Sequence, residues 1–311
     1  MALTLVESSK LALGRDETVL QGTVMELYAR ASDLMQYIPF QDIPGNSAMF
    51  NREIKLPSAG FRAVNEPYSE STGTVDRVQE SLTIAGGDVD VDVFLMKTGG
   101  GNQRSAQESM QIKSLSLALT KTMIKGDSEA TPKEFDGLQV RCIGNQLVAN
   151  STESGGGALS LAKLDELIDA VEDPTQLLMN KTMRRRLSGA ARLTSVGGYI
   201  TFTLDSFGRR VTAYNDIPIL IADKDNNYDD IMPFTEAAAS GSSVCTSIYC
   251  LSFATNGVVG LQNGSMDVRD MGELDTKPVF RTRVEWYVSM AILRARAVAR
   301  LRNITDAAVT V

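Results

Sequence analysis

Two runs of alternating oxygen donors are the first residues in this chain whose spacing could do chemistry. Asp88, Asp90 and Asp92 alternate with Val89, Val91 and Val93, so an extended strand would put three carboxylates on one face. Carboxylates grouped in this way could hold a hard cation. The spacing fails as a calcium loop, because Val93 stands where the sharp turn needs glycine. Asp223, Asp225, Asn227 and Asp229 make a second run, again with the glycine position filled, by Tyr228, and with no Glu at the required distance. A solvated strand face and a polar loop tip are the expected roles. Lys224 beside Asp229 and Asp230 would also suit salt bridges to a neighbouring molecule.

Gly99, Gly100 and Gly101 lead into a helical pattern, where helix N-termini attract anions. Neither the P-loop spacing nor the dinucleotide fingerprint is present, so a turn is expected. Arg184, Arg185 and Arg186 are consecutive on a predicted helix and therefore fan around it instead of forming one face. Arg294, Arg296, Arg300 and Arg302 make a denser basic segment, but no aromatic residues alternate with them as a single-strand nucleic-acid surface would require. Arginines lying over a core edge or pairing across an interface are expected.

The chain has no histidine among its 311 residues. A Ser-His-Asp triad, a Cys-His pair and a His-containing metal site are thereby excluded. Cys142, Cys245 and Cys250 form no Cys-x-x-Cys pair, and they read as reduced, buried thiols. Net charge is −7, which argues against a protein that grips phosphates but suits a container that must not stick to its contents. No basic leader or ~20-residue apolar run occurs, so a soluble protein made in the cytoplasm is expected, with no membrane partner.

The elements that would position these residues read as α+β. Residues 1 to about 15 suggest an arm, followed by a helix capped by Asp16 with Leu20, Val24, Leu27, Ala31 and Leu34 on one face. Met49–Leu56 and Glu80–Ala85 are strand-like, with a polar stretch of some 20 residues between them. Hairpin loops are ordinarily two to five residues, so a hairpin this long would project and need a partner surface. A strand over 89–95 and a helix from Ser105 to Lys125 follow, with Ser105 and Glu108 as a capping box. A strand or hairpin is predicted at 138–148, and NSTESGGG (150–157) reads as a linker. Beyond it, helices are predicted at 160–171 and 181–193. Strands are expected at 176–179, 198–204, 210–213, 217–222, 243–254, 257–262 and 279–291.

In this order the elements resemble the major capsid proteins of tailed bacteriophages, the Hong Kong 97-like fold. LTKTMIKGDSEATPKEFDGL (119–138) is similar to the end of that family's spine helix and its Gly-Asp … Phe-x-Gly-Leu passage. LLMNKTMRRRL (177–187) resembles the strand-to-helix step of its axial domain, and RVEWYVSMAILRARAVARLRNI (283–304) its closing strand. The resemblance implies an N-terminal arm (1–48), an extended β-hairpin loop (49–80), a spine-helix peripheral domain (81–150 with 275–311) and an axial domain (158–274). It implies inter-subunit contacts through Arg52, Lys55, Arg62 and Glu66 on the loop. It also implies that the axial tip, with Asp225 and Asp229, faces the centre of a pentamer or hexamer. The implied protein is a non-enzymatic shell subunit without cofactors, assembled in the bacterial host cytoplasm around double-stranded DNA into a virion. Its partners would be copies of itself, a separate scaffolding protein, a portal and a decoration protein. Some relatives join subunits through a Lys–Asn bond. Lys55 lies on the loop but no matching Asn or Glu is identifiable, so that chemistry is not carried over. An encapsulin-type nanocompartment, which shares the fold and encloses protein cargo, is the alternative. A metal enzyme built on an Asp run is a third, and would bind metal tightly and stoichiometrically.

Overall fold

Hydrophobic alternation and one long helical stripe dominate the chain, and they produce two sheets joined by that helix. The computed structural model describes residues 3–4, 32–99, 102–192, 200–204, 210–238, 241, 243–254 and 256–310. The first part runs β1 (Leu3–Thr4), α1 (Asp33–Tyr37), β2 (Pro39–Asp42), β3 (Ser47–Lys55), β4 (Thr74–Ser81) and β5 (Thr83–Asp92). Next come α2 (Val93–Gly99), the spine helix α3 (Asn102–Lys125), α4 (Leu138–Arg141) and β6 (Leu147–Ala149). The middle is α5 (Leu161–Asp169), β7 (Gln176–Asn180), α6 (Lys181–Ala190), β8 (Ile200–Leu204), β9 (Arg210–Tyr214) and β10 (Ile217–Ala222). The chain closes with β11 (Glu236–Ala237), β12 (Ser243–Leu251), β13 (Val258–Gln262), β14 (Asp267–Glu273), β15 (Val279–Ile292) and β16 (Val298–Ile304).

The fourteen residues of β15 form the axis of the six-stranded sheet. One edge pairs with β5 along its length, and the other takes β13 and then β14. β2 adds in parallel to β13, and β1 pairs antiparallel with β2. Gly260 is required here, since a Cβ would lie 2.5 Å from the Phe40 ring. The core face carries Val284, Trp286 and Val288, packed with α1 and with Ile112, Leu119 and Met123 of the spine helix. The second sheet has eight strands, β6-β16-β12-β7-β10-β9-β8 with β11 beside β12. On one face Leu177 and Met179 pack with Leu164 and Leu167 of α5 and with Met183 and Leu187 of α6. Its other face contributes Leu178, Leu220, Tyr249 and Leu251 to the spine-helix core. One apolar core therefore passes under the spine helix from sheet to sheet.

The passage after the spine helix is set by two glycines in close approach. Gly137 N–H donates to the Gly126 carbonyl at 2.8 Å. A Cβ on Gly137 would meet Gly126 N at 2.7 Å, and one on Gly126 would meet the Phe135 carbonyl at 2.3 Å. Phe135 is buried there, while Asp127 and Asp136 accept backbone N–H bonds from 129 and 128.

Several sequence expectations are corrected. The stretch 138–148 is a short helix, a 3-10 turn at 144–146 and a three-residue strand, because Leu138 and Cys142 are drawn under the spine helix. The predicted strand 89–95 stops at Asp92, where α2 begins. The capping box does not form. The helix starts at Asn102, and Glu108 instead accepts from Arg104 (3.1 Å) and Thr282 (2.6 Å). Strands β2 and β14 were not foreseen. The arm helix up to residue 31 and most of the Gly99–Gly101 turn lie outside the described residues.

Candidate inter-subunit contact surfaces

β3 and β4 pair with each other from Ser47↔Ser81 to Lys55↔Thr74 and, among the described residues, with no other strand. Only the root is covered. Ala48 and Phe50 pack with Val259, Leu261 and Ala291 on the outer side of the six-stranded sheet. At the same root Arg141 makes two hydrogen bonds to the Glu80 carboxylate, one of them at 2.8 Å, with side chains 14% and 15% exposed. Charge-assisted forks of this kind fix geometry as well as adding energy. The ribbon thus leaves the body at a defined place and then loses contact with it.

Every residue from 53 to 77 is exposed. Leu56 is 70% exposed, Val64 89%, and Phe61 fully so. An isolated two-stranded hairpin is marginal in water at best, and these exposed apolar side chains, set in a polar stretch, suit burial against another surface. Arg52 sits 3.8 Å from Asp76 across the ribbon. At the tip Arg62 stacks over Tyr68 with its guanidinium 5.1 Å from the ring centroid, and Glu66 accepts the Ala63 N–H at 3.1 Å. Lys55 points into solvent. Of the six residues expected at inter-subunit contacts, four therefore lie on this ribbon.

The other two part company. Asp229 is exposed, but the Asp225 side chain is 1% exposed and is committed within its own chain. Its carboxylate accepts from Lys121 Nζ at 2.7 Å and from the backbone N–H groups of Asn227 and Asp229 at 2.9 and 3.0 Å. The Lys121 bond, aided by those two, holds the Asp225 carboxyl below the ordinary carboxylate range. Lys224, though exposed, is also paired within the chain, to Asp230 at 3.6 Å.

The Asp88–Asp92 run is answered by arginines on the next strand. Arg283 grips Asp88 at 2.7 and 2.8 Å, and Arg281 grips Asp90 at 2.6 and 2.7 Å. Both carboxyls are held low, chiefly by those hydrogen bonds. Asp92 instead accepts the Phe94 N–H at 2.7 Å, and among the described residues no group of three His, Cys, Asp or Glu is arranged to hold a metal. Two of the C-terminal arginines are paired within the chain. Arg294 reaches Glu172 at 3.4 Å, and Arg300 reaches Glu236 and Ser247, both at 2.9 Å. Arg186 leaves the triple-arginine fan for Asp306 at 2.8 Å. All three cysteines are free and buried, and burial pushes the Cys142 and Cys250 thiols up to about 12, far from the range of a nucleophile. Sequence reasoning missed the Arg141–Glu80 and Lys121–Asp225 pairs, whose partners lie 61 and 104 residues apart. No local periodicity could have joined them.

Residues 16–160 match the family described as Major capsid protein GP7. No curated protein matches the chain. Among solved structures, the holo-SrpI encapsulin complex of Synechococcus elongatus PCC 7942 is similar with a TM-score of 0.65 at 19% identity, covering 89% of each chain. The capsid of an empty GTA particle has a TM-score of 0.60 at 14% identity, over 88% of this chain and 90% of that one. A Mycobacterium phage Bobi structure has a TM-score of 0.60 at 11% identity, over 87% and 89%. The fold is the Hong Kong 97-like capsid fold.

Proposed function

We infer that this chain belongs to the tailed-bacteriophage major capsid protein family and is a structural capsid subunit that closes a shell by contact with copies of itself. The observation that carries the inference is the β3–β4 ribbon, rooted by Arg141–Glu80 and exposed over its whole outer length. Such a ribbon is completed by burial against another molecule. Arg52, Lys55, Arg62 and Glu66 would then meet a neighbour's charges while Leu56, Phe61 and Val64 supply apolar contact. Many weak, identical interfaces add through multivalency.

The assembled form proposed is an icosahedral shell of pentamers and hexamers enclosing double-stranded DNA, made in the host cytoplasm. A separate scaffolding protein, a portal and a decoration protein are proposed partners. The arm (1–48), loop (49–80), peripheral domain (81–150 with 275–311) and axial domain (158–274) are the proposed working units, with Asp229 at the axial tip. The role is mechanical rather than enzymatic. A chain of net charge −7 repels a phosphate backbone, which suits a wall around packed DNA.

An encapsulin-type compartment is the second reading, favoured by the similarity to the SrpI encapsulin over most of both chains. Expression of the chain alone and with a candidate scaffolding protein, followed by negative-stain electron microscopy, tests the common part. Closed shells, rings or tubes are expected, and a persistent monomer at high concentration in both arms contradicts it. Shells loading a protein cargo with no need of scaffold or portal would select the encapsulin reading.

A further inference from the structure

The segment 223–238 touches the spine helix in an unusual way. Residues 223–231 form a closed turn, with Ile231 N–H on the Asp223 carbonyl at 3.0 Å and Asp225 N–H on the Asp229 carbonyl at 2.8 Å. Between this turn and the helix lie two adjoining clefts of about 380 and 550 Å³, both lined by Lys113, Leu117, Asp225 and Tyr228. The Lys121–Asp225 ion pair spans that gap. Its carboxylate is buried and its ammonium half exposed.

One helical turn further on, Lys125 shares the helix face of Lys121 and is partly buried over the other end of the segment. There Glu236 meets Arg300 at 2.9 Å and accepts from Ser247, with both charged side chains about nine-tenths buried. Arg300 also lies 5.9 Å from the Tyr249 ring centroid. Two polar atoms of this cluster, Glu236 Oε1 and the Tyr249 hydroxyl, have no hydrogen-bond partner among the described residues. A buried ion pair with unmet hydrogen bonds is a poor stabiliser, and its best-attested use is to fix one arrangement among several. Two lysines i and i+4 on the spine helix thus face the carboxylates at the two ends of one segment.

We propose that Lys121 and Asp225, seconded by the Glu236–Arg300 pair under Lys125, form a strut that positions the 223–238 segment for subunit contact. Displacement of the spine helix is passed through that strut to the segment. Lys121 is a positioning residue: it acts on the contact surface through Asp225, not by touching a neighbour. The contact role rests on the shell-subunit reading above, whereas the strut itself is a property of one chain.

The test is Lys121→Met beside Lys121→Arg, read in two ways. Spin labels on Lys113→Cys and Asn227→Cys, both at exposed positions while the native thiols are buried, report the helix-to-turn distance in the unassembled subunit. One narrow distance is expected for the parent and for Lys121→Arg, and a broad distribution for Lys121→Met, which stays folded with a lowered thermal midpoint because the buried Asp225 carboxylate loses its partner. In assembly, Lys121→Met is expected to lose closed shells in favour of open or mis-sized particles, and Lys121→Arg to restore them. If Lys121→Met fails to fold, Asp225→Asn, which keeps an oxygen for the turn's N–H groups, carries the same comparison. A narrow, parental distance in the folded variant overturns the strut, and closed parental-size shells from a loosened variant overturn its role in contact. A parent chain that never assembles defeats the shell reading instead, and leaves the distance measurement standing.

Discussion

The β3–β4 ribbon and strand β7 are both extended chain, and the ribbon strands carry more β-branched and aromatic residues than β7 (QLLMN), yet the two are held by opposite means. All five residues of β7 are buried, with β10 paired on one edge and β12 on the other. Leu177 and Met179 face the α5 and α6 core, and Leu178 faces the spine-helix core. Among the described residues the ribbon strands pair only with each other, and beyond the root their apolar side chains are exposed. Strand preference is therefore not the variable. What differs is where the covering surface comes from: for β7 the same chain supplies it, and for the ribbon the function proposed above assigns it to another copy.

That contrast can be broken or sharpened by substitution, beginning with the largest effect. Leu178→Ala is expected to cost the unassembled subunit about 2–5 kcal/mol in urea unfolding, since a buried side chain leaves a cavity; a loss below about 1 kcal/mol would mean β7 is less essential than its burial suggests. Arg141→Met leaves the largely buried Glu80 carboxylate unpaired at the ribbon root, at a cost of about 1–3 kcal/mol. Hydrogen exchange should then rise at the root before the body. Phe61→Ser should alter subunit stability by no more than about 0.5 kcal/mol while sharply reducing particle yield on a sizing column. Unchanged yield would deny the ribbon its partner.

The smallest effect concerns acid. The Asp225 carboxyl is held below its ordinary 3.8, first by the Lys121 hydrogen bond. A lowered carboxyl contributes stability that is complete above the unfolded value and is lost as pH falls through the folded one. The thermal-midpoint difference between the parent and Lys121→Met should be flat from about pH 8 to 5 and shrink below about pH 4. A difference that persists undiminished at lower pH would show that Lys121 acts by packing its stem and not through Asp225.

Much of the architecture was legible because its signals are local. The ribbon strands, the long helical stripe ending at Lys125 and the alternation through Val284, Trp286 and Val288 each report one face in one window. The failures are tertiary. Leu138–Val148 has an apolar run that could serve a strand or a buried turn of helix, and only the close approach of Gly137 to Gly126 decides it. β14 is a polar strand (DVRDMGE) whose pairing depends on β15, and β2 begins on Pro39, which argues against a strand in isolation. The ribbon's charged residues were readable as exposed because none of the described residues covers them. Asp225 looked equally exposed in a polar loop. Its burial depends on Lys121, 104 residues earlier, and no sequence window contains both.

The central claim is that the ribbon is completed by a neighbouring subunit. Trypsin cleavage after Lys55 and Arg62, followed by mass spectrometry in unassembled subunits and in purified particles, tests it most directly. Rapid cleavage at both sites in the free subunit and strong protection in particles is the predicted result. Equal cleavage rates in the two states would contradict it.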